Sequence, residues 1–176
     1  GISEIEYFNR RQYEGSTQNW NVSQSDDGLM YFANNDGIIE YDGSNWRSLP
    51  VLPNNVTRSV MAHDEKIFVG ANAEFGYYEM DSACHYRYHS LYQEYNVQEP
   101  GDFWNIFAQE NSIIFQSQEA LCVYEPNQGI EVVKAYSRFT EAYLVNGQLL
   151  VNDEQNGLLE LRNESLFRIP GGDIFA

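Results

Sequence analysis

The stretch Asn19-Trp20-Asn21-Val22-Ser23-Gln24-Ser25-Asp26-Asp27-Gly28-Leu29-Met30-Tyr31-Phe32-Ala33-Asn34-Asn35-Asp36-Gly37-Ile38-Ile39-Glu40-Tyr41-Asp42-Gly43-Ser44-Asn45-Trp46 decides the fold. It reads as short apolar and aromatic runs broken by Asp-Gly and Asn-Asp-Gly turns. Such residues tolerate positive φ and suit tight hairpins. Rings and β-branched side chains between the turns fit a pleated, half-buried surface. The stretch is therefore a strand meander, and the rest of the chain repeats it.

Gly37-Ile38-Ile39-Glu40-Tyr41 aligns with Gly76-Tyr77-Tyr78-Glu79-Met80, Ala120-Leu121-Cys122-Val123-Tyr124 and Gly157-Leu158-Leu159-Glu160-Leu161, spaced 37 to 44 residues apart. One strand upstream of each lie Leu29–Ala33, Lys66–Gly70, Ile113–Gln116 and Gln148–Asn152. Before those come Trp20–Ser23, Ser59–Ala62, Trp104–Phe107 and Ala142–Val145. Downstream come Trp46–Leu49, Tyr86–His89, Glu131–Lys134 and Leu166–Ile169. A self-similar quartet near the ~40–45 residues of a propeller blade separates this pattern from a β-sandwich, which spaces strands alike but repeats nothing on that scale. No run has a 3.6-residue period of helical length.

The expected fold is all-β: four four-stranded antiparallel β-propeller blades at about 19–50, 56–92, 102–135 and 139–170, forming a fragment of a larger propeller. Residues 1–18 are a leader able to supply a ring-closing strand, and 171–176 read as the start of a further unit. An open set of four blades exposes two apolar blade faces, so a homo-oligomer through those edges is expected.

Apolar residues make up 43% and aromatics 15%, which marks a folding sequence. The formal charge of −16 opposes direct nucleic-acid binding, since phosphates require cations. No run is long enough for a membrane-spanning helix. Cys84 and Cys122 are too few for a disulfide framework, and both lie in strand-like runs that imply buried free thiols.

The first unit resembles the two-component regulator propeller repeat of Bacteroidetes sensor proteins. The likeness rests on the acidic turn ending in Gly28, the aromatic strand after it, the Asn-Asp-Gly turn, and the Ile-Glu-Tyr-Asp-Gly run before Trp46. It is strongest over 19–46, fair over 59–80 and thinner beyond, where Ala120 replaces the glycine. The resemblance implies a periplasmic ligand-sensing or structural segment of a signal-transduction receptor that controls transcription and is anchored in the inner membrane. It also implies downstream domains in the same chain, ending in a histidine kinase or a DNA-binding output, and ligands that are often glycans.

No catalytic residue, ligand-binding residue, metal set or cofactor motif emerges from the sequence itself. Asn34-Asn35-Asp36-Gly37 lacks EF-hand spacing and reads as a turn. Glu40, Glu79 and Glu160 recur once per blade, which suits a structural role such as accepting a hydrogen bond from an adjacent turn, not a converging acid–base pair. His85 and His89 share a strand face about 13 Å apart, too far for one zinc. Gly70-Ala71-Asn72-Ala73-Glu74-Phe75-Gly76 lacks the lysine of a phosphate loop. Trp20, Trp46 and Trp104 suit either blade packing or stacking on sugar rings. The expectation is a non-enzymatic sensor. The alternatives are a propeller lyase or glycosidase, which needs polar groups converging at the axis, and a protein-interaction scaffold without a small ligand.

Overall fold

The computed structural model describes residues 5–51 and 55–176. Sixteen strands form four separate sheets, each an antiparallel meander of consecutive strands. The first blade holds β1 (Asn19–Gln24), β2 (Met30–Asn34), β3 (Gly37–Tyr41) and β4 (Trp46–Leu49). The second holds β5 (Thr57–His63), β6 (Lys66–Ala71), β7 (Glu74–Met80) and β8 (Tyr86–Ser90). The third holds β9 (Asn105–Gln109), β10 (Ser112–Gln116), β11 (Ala120–Glu125) and β12 (Gly129–Lys134). The fourth holds β13 (Phe139–Val145), β14 (Gln148–Asp153), β15 (Gly157–Arg162) and β16 (Ser165–Arg168). Every strand expected from the sequence is present. β1 packs on β5, β5 on β9 and β9 on β13, so the first strand of each blade lies on the inner rim. The four sheets do not join into a closed ring.

Local chemistry explains the hairpins. Asn146 and Gly147 both have positive φ, as two-residue turns with the native strand twist require. Asp64-Glu65 and Asn163-Glu164 adopt the same geometry with non-glycine residues. Three core clusters then hold the blades together. Tyr31, Ile38 and Leu49 pack against Val60, Val69 and Tyr78 between the first and second blades. Phe68 and Phe75 meet Phe115 and Cys122 between the second and third, with the Phe75 and Phe115 rings stacked at 4.4 Å. Ile114, Leu121 and Val133 meet Phe139, Leu149, Val151 and Leu159 between the third and fourth.

The described part of the leader, residues 5–18, contains no strand. It holds a four-residue helix, α1 (Arg10–Tyr13), closed by a capping box in which Asn9 and Gln12 satisfy each other's backbone donors. Phe8 lies edge-on to Tyr41 and Trp46, each at 5.1 Å, and Tyr13 tilts against Trp46 at 5.7 Å. A Cβ on Gly15 would stand 2.5 Å from Cδ1 of Ile39, so a larger residue there would have to displace that side-chain tip. The outward face of the first blade is thus covered in cis. Residues 1–4, part of the same leader, lie outside the described residues. At the other end, residues 172–175 form a 3₁₀ turn against β15.

The two cysteines part company. Cys122 is buried in β11, where burial pushes its thiol up to about 12. Cys84, expected to be buried in a strand, is exposed in the β7–β8 turn with φ 59°. The turn is organised by Asp81, whose carboxylate accepts from the backbone N–H groups of Ala83 and His85 and from Arg87 Nε.

Candidate functional site

The turns between the second and third strands set the register of the blades. In the first blade, Asn34 Nδ2 donates to Ser16 O at 2.8 Å while its Oδ1 accepts from Ser16 N at 3.0 Å. In the second, Asn72 and Asn55 exchange two hydrogen bonds. In the fourth, the Asp153 carboxylate accepts from both the backbone N–H and the hydroxyl of Ser137. Each of these turns clasps the segment leading into its own innermost strand. The sequence shows the turn residues but not this use of them. Burial works to raise the Asp153 pKa, but hydrogen bonds from Ser137, Asn156 and Gln155 outweigh it and hold it at about 2.

The clasps also fix which residues are equivalent. Asn34 pairs with Gly37, Ala71 with Glu74, and Asp153 with Gly157, while Ser117 N donates to Ala120 O. Glu40, Tyr77, Val123 and Glu160 therefore occupy one position, and Glu79 lies two residues farther along β7. A slip of two leaves the inside–outside alternation intact, so hydrophobic pattern alone could not detect it. Glu40 is buried and accepts from Arg47 Nε at 2.9 Å and, across the blade boundary, from Tyr86 Oη at 2.9 Å. Tyr86 Oη lies 3.1 Å from Tyr31 Oη, and burial raises the pKa of both phenols. Glu160 is bound by Arg162, which lowers its pKa. The recurring glutamates therefore bind cations and a tyrosine hydroxyl, not a turn.

Irregularities in the innermost strands gather a polar–aromatic cluster at the clasp end. Trp20 is the bulged residue of β1, Arg58 the bulged residue of β5, and Trp104 immediately precedes β9. A bulge re-aims one side chain out of the strict alternation. The indoles meet edge-to-face at 5.7 Å, and the Arg58 guanidinium carbon lies 4.4 Å from one ring centroid and 4.8 Å from the other. Asp102 stands 3.2 Å from Arg58 Nε and accepts from Asn72 Nδ2, while Trp20 Nε1 donates to Asn35 Oδ1 at 2.7 Å. Trp20 remains 42% exposed. Three blades thus contribute to one surface carrying an open aromatic ring, a guanidinium, a carboxylate and two carboxamides. Aromatic rings flanked by planar polar groups suit a ligand with apolar faces and hydrogen-bonding edges. The sequence places Trp20 and Trp104 at equivalent starts of their blades, but nothing in it joins either to Arg58. Trp46, the third, belongs to the leader's aromatic contact instead.

At the opposite end, a cleft of about 880 Å³ lies between the first and second blades. Asp26, Asp27, Asp64, Glu65 and Glu79 edge it, and Tyr31 and Tyr86 line it. Glu74, on β7, is a buried carboxylate held by Tyr88, Ser90 and Gln93, and burial raises its pKa. The histidines do not converge: His63 faces Asp64, His85 faces Asp81 and His89 faces Glu79. Among the described residues no group of three His, Cys, Asp or Glu side chains could hold a metal ion, and no helix is long and apolar enough to cross a membrane.

No protein-family profile and no curated protein matches the sequence. Solved structures do match the fold. The extracellular domain of a putative hybrid two component system from B. thetaiotaomicron is 19% identical, with a TM-score of 0.68 over 88% of this chain and 22% of that one. A second such extracellular domain from B. thetaiotaomicron is 15% identical, with a TM-score of 0.66 over 96% of this chain and 27% of that one. A protein of unknown function from Bacteroides caccae is 11% identical, with a TM-score of 0.59 over 86% of this chain and 60% of that one. The chain therefore spans under a third of the two extracellular domains' length and about three fifths of the third protein's. At these identities the likeness establishes the fold.

Proposed function

We propose that this chain is a ligand-sensing segment of a bacterial signal-transduction receptor that controls transcription. It works outside the cytoplasm, in the periplasm, and contacts a glycan at the Trp20–Arg58–Trp104 surface. The observation that carries the reading is this surface: an exposed indole with a guanidinium, a carboxylate and carboxamides assembled by three blades at one end of the inner rim. Extracellular sensor domains among the structures of like fold support it. In this reading the segment binds and does not catalyse, and binding alters the pitch between blades for domains beyond it to read.

A thermal-shift screen against oligosaccharides tests the proposal, because a ligand specific to the folded state raises the melting temperature by mass action. The expected result is a shift with at least one glycan that disappears in Trp20→Ala. A flat response across the panel overturns the glycan reading. Turnover of any panel member by the purified protein overturns the non-enzymatic one.

A further inference from the structure

Arg58 is the one described arginine that is not exposed, and apart from the exposed Arg11 it alone donates no side-chain hydrogen bond to the described residues. Arg10, Arg47, Arg87, Arg138, Arg162 and Arg168 each donate a side-chain hydrogen bond. Arg58 donates none to the described residues, although its side chain is only 18% exposed. Its Nε lies near Asp102 but is misaligned for a hydrogen bond and is sealed from solvent. The guanidinium carbon sits in the corner of the two touching indoles, 4.4 and 4.8 Å from their centroids, and its Nη groups have no acceptor among the described residues. An unsatisfied, largely buried donor is costly, and a charged one more so. A guanidinium fork matches a carboxylate in geometry and charge.

We propose that Arg58, set against Trp20 and Trp104, is the recognition point for a carboxylate carried on a ring. This rests on the ligand-sensing reading above and names the chemistry of its ligand. The carboxylate accepts from the Arg58 Nη groups, which have no acceptor among the described residues, and the ring lies against the open indole of Trp20. Asp102 competes for the same cation, so it sets the affinity. The chain's negative charge weakens but does not forbid this, because charges beyond about 8 Å are largely screened at physiological ionic strength. Two sources fit the chemistry, a uronic sugar and an aromatic acid.

The test is titration of the whole chain, followed by tryptophan fluorescence and calorimetry, with glucuronate and benzoate as the carboxylate probes. Glucose and benzyl alcohol serve as their neutral counterparts. At least one carboxylate is expected to bind at least tenfold more tightly than its neutral counterpart. Which one does so identifies the source. Arg58→Met should abolish this preference, and Arg58→Lys should restore part of it. Asp102→Asn should tighten carboxylate binding about three- to tenfold, an effect that unfolding cannot mimic. Equal binding of charged and neutral probes, or a preference surviving Arg58→Met, overturns the proposal. Neutral glycans that bind through Trp20 without Arg58 would sink this inference and leave the sensing reading intact. Absence of binding by every probe and every glycan removes both.

Discussion

In the first blade the row Phe32, Ile39 and Tyr41 lies under Phe8, Tyr13 and Gly15 of the leader, whereas the corresponding outer surface of the fourth blade has far less cover. There the cross-strand row Tyr143, Leu150, Glu160 and Phe167 leaves Tyr143 57% and Phe167 48% exposed. The alternate residues Leu149, Val151, Leu159 and Leu161 are spent against the third blade. The two end blades are alike in turn geometry and strand order, yet one is finished by its own chain and the other presents the half-joint that elsewhere receives a neighbour. Glu160 stands where Glu40 takes the Tyr86 hydroxyl. Of the two end faces through which association is expected, the first blade's is thus the more covered.

The sharpest way to break the contrast is Trp46→Ala. It removes the ring on which Phe8, Tyr13, Phe32 and Tyr41 converge, and should cost about 3 kcal/mol in chemical denaturation. It should also loosen the leader, read as faster proteolysis ahead of Asn19.

The clasps sharpen the comparison next, since the same position is Asn34 in one end blade and Asp153 in the other. Asp153→Ala should cost about 2 kcal/mol at pH 7. Its folded pKa is depressed to about 2, so its contribution is full above the unfolded value near 4 and disappears as pH falls from about 5 toward 2. Asp153→Asn should copy the first blade, with a smaller loss at neutral pH and a flatter stability profile across that acid window. An Asp153→Asn profile as steep as the parent's would show that other carboxylates carry the acid sensitivity.

A smaller effect of opposite sign is expected at the β15–β16 turn, where Glu164 holds φ 58°. Glu164→Gly should raise stability by about 0.5–1 kcal/mol by removing left-handed strain. The least expected change in stability comes from Tyr143→Glu with Phe167→Glu, within about 0.5 kcal/mol. Light scattering should nevertheless show reduced self-association at high concentration. Unchanged association would move the contact away from this face.

The blades were legible because alternation and turn chemistry are local: Asn146-Gly147 or Asp26-Asp27-Gly28 announces a reversal without reference to anything distant. The clasps were half legible, since Asn34 reads as a turn residue but its hold on Ser16 depends on where the chain enters the blade. Glu79 was misaligned with Glu40 because a two-residue slip preserves parity. Cys84 followed an apolar-looking run but falls in a turn governed by Asp81. The Trp20–Arg58–Trp104 surface was invisible for a stronger reason. Its members sit on separate blades, and bulges, which alternation does not encode, turn them toward one another.

That surface has a mechanical consequence. Trp20, Arg58 and Trp104 ride on three different blades, whose faces are joined by apolar clusters. Tilting the middle blade would draw the cation away from the corner that the two indoles form. If the sensing proposal holds, the trio would work as a gauge of inter-blade angle, with an occupant favouring one angle and a change of angle weakening its hold.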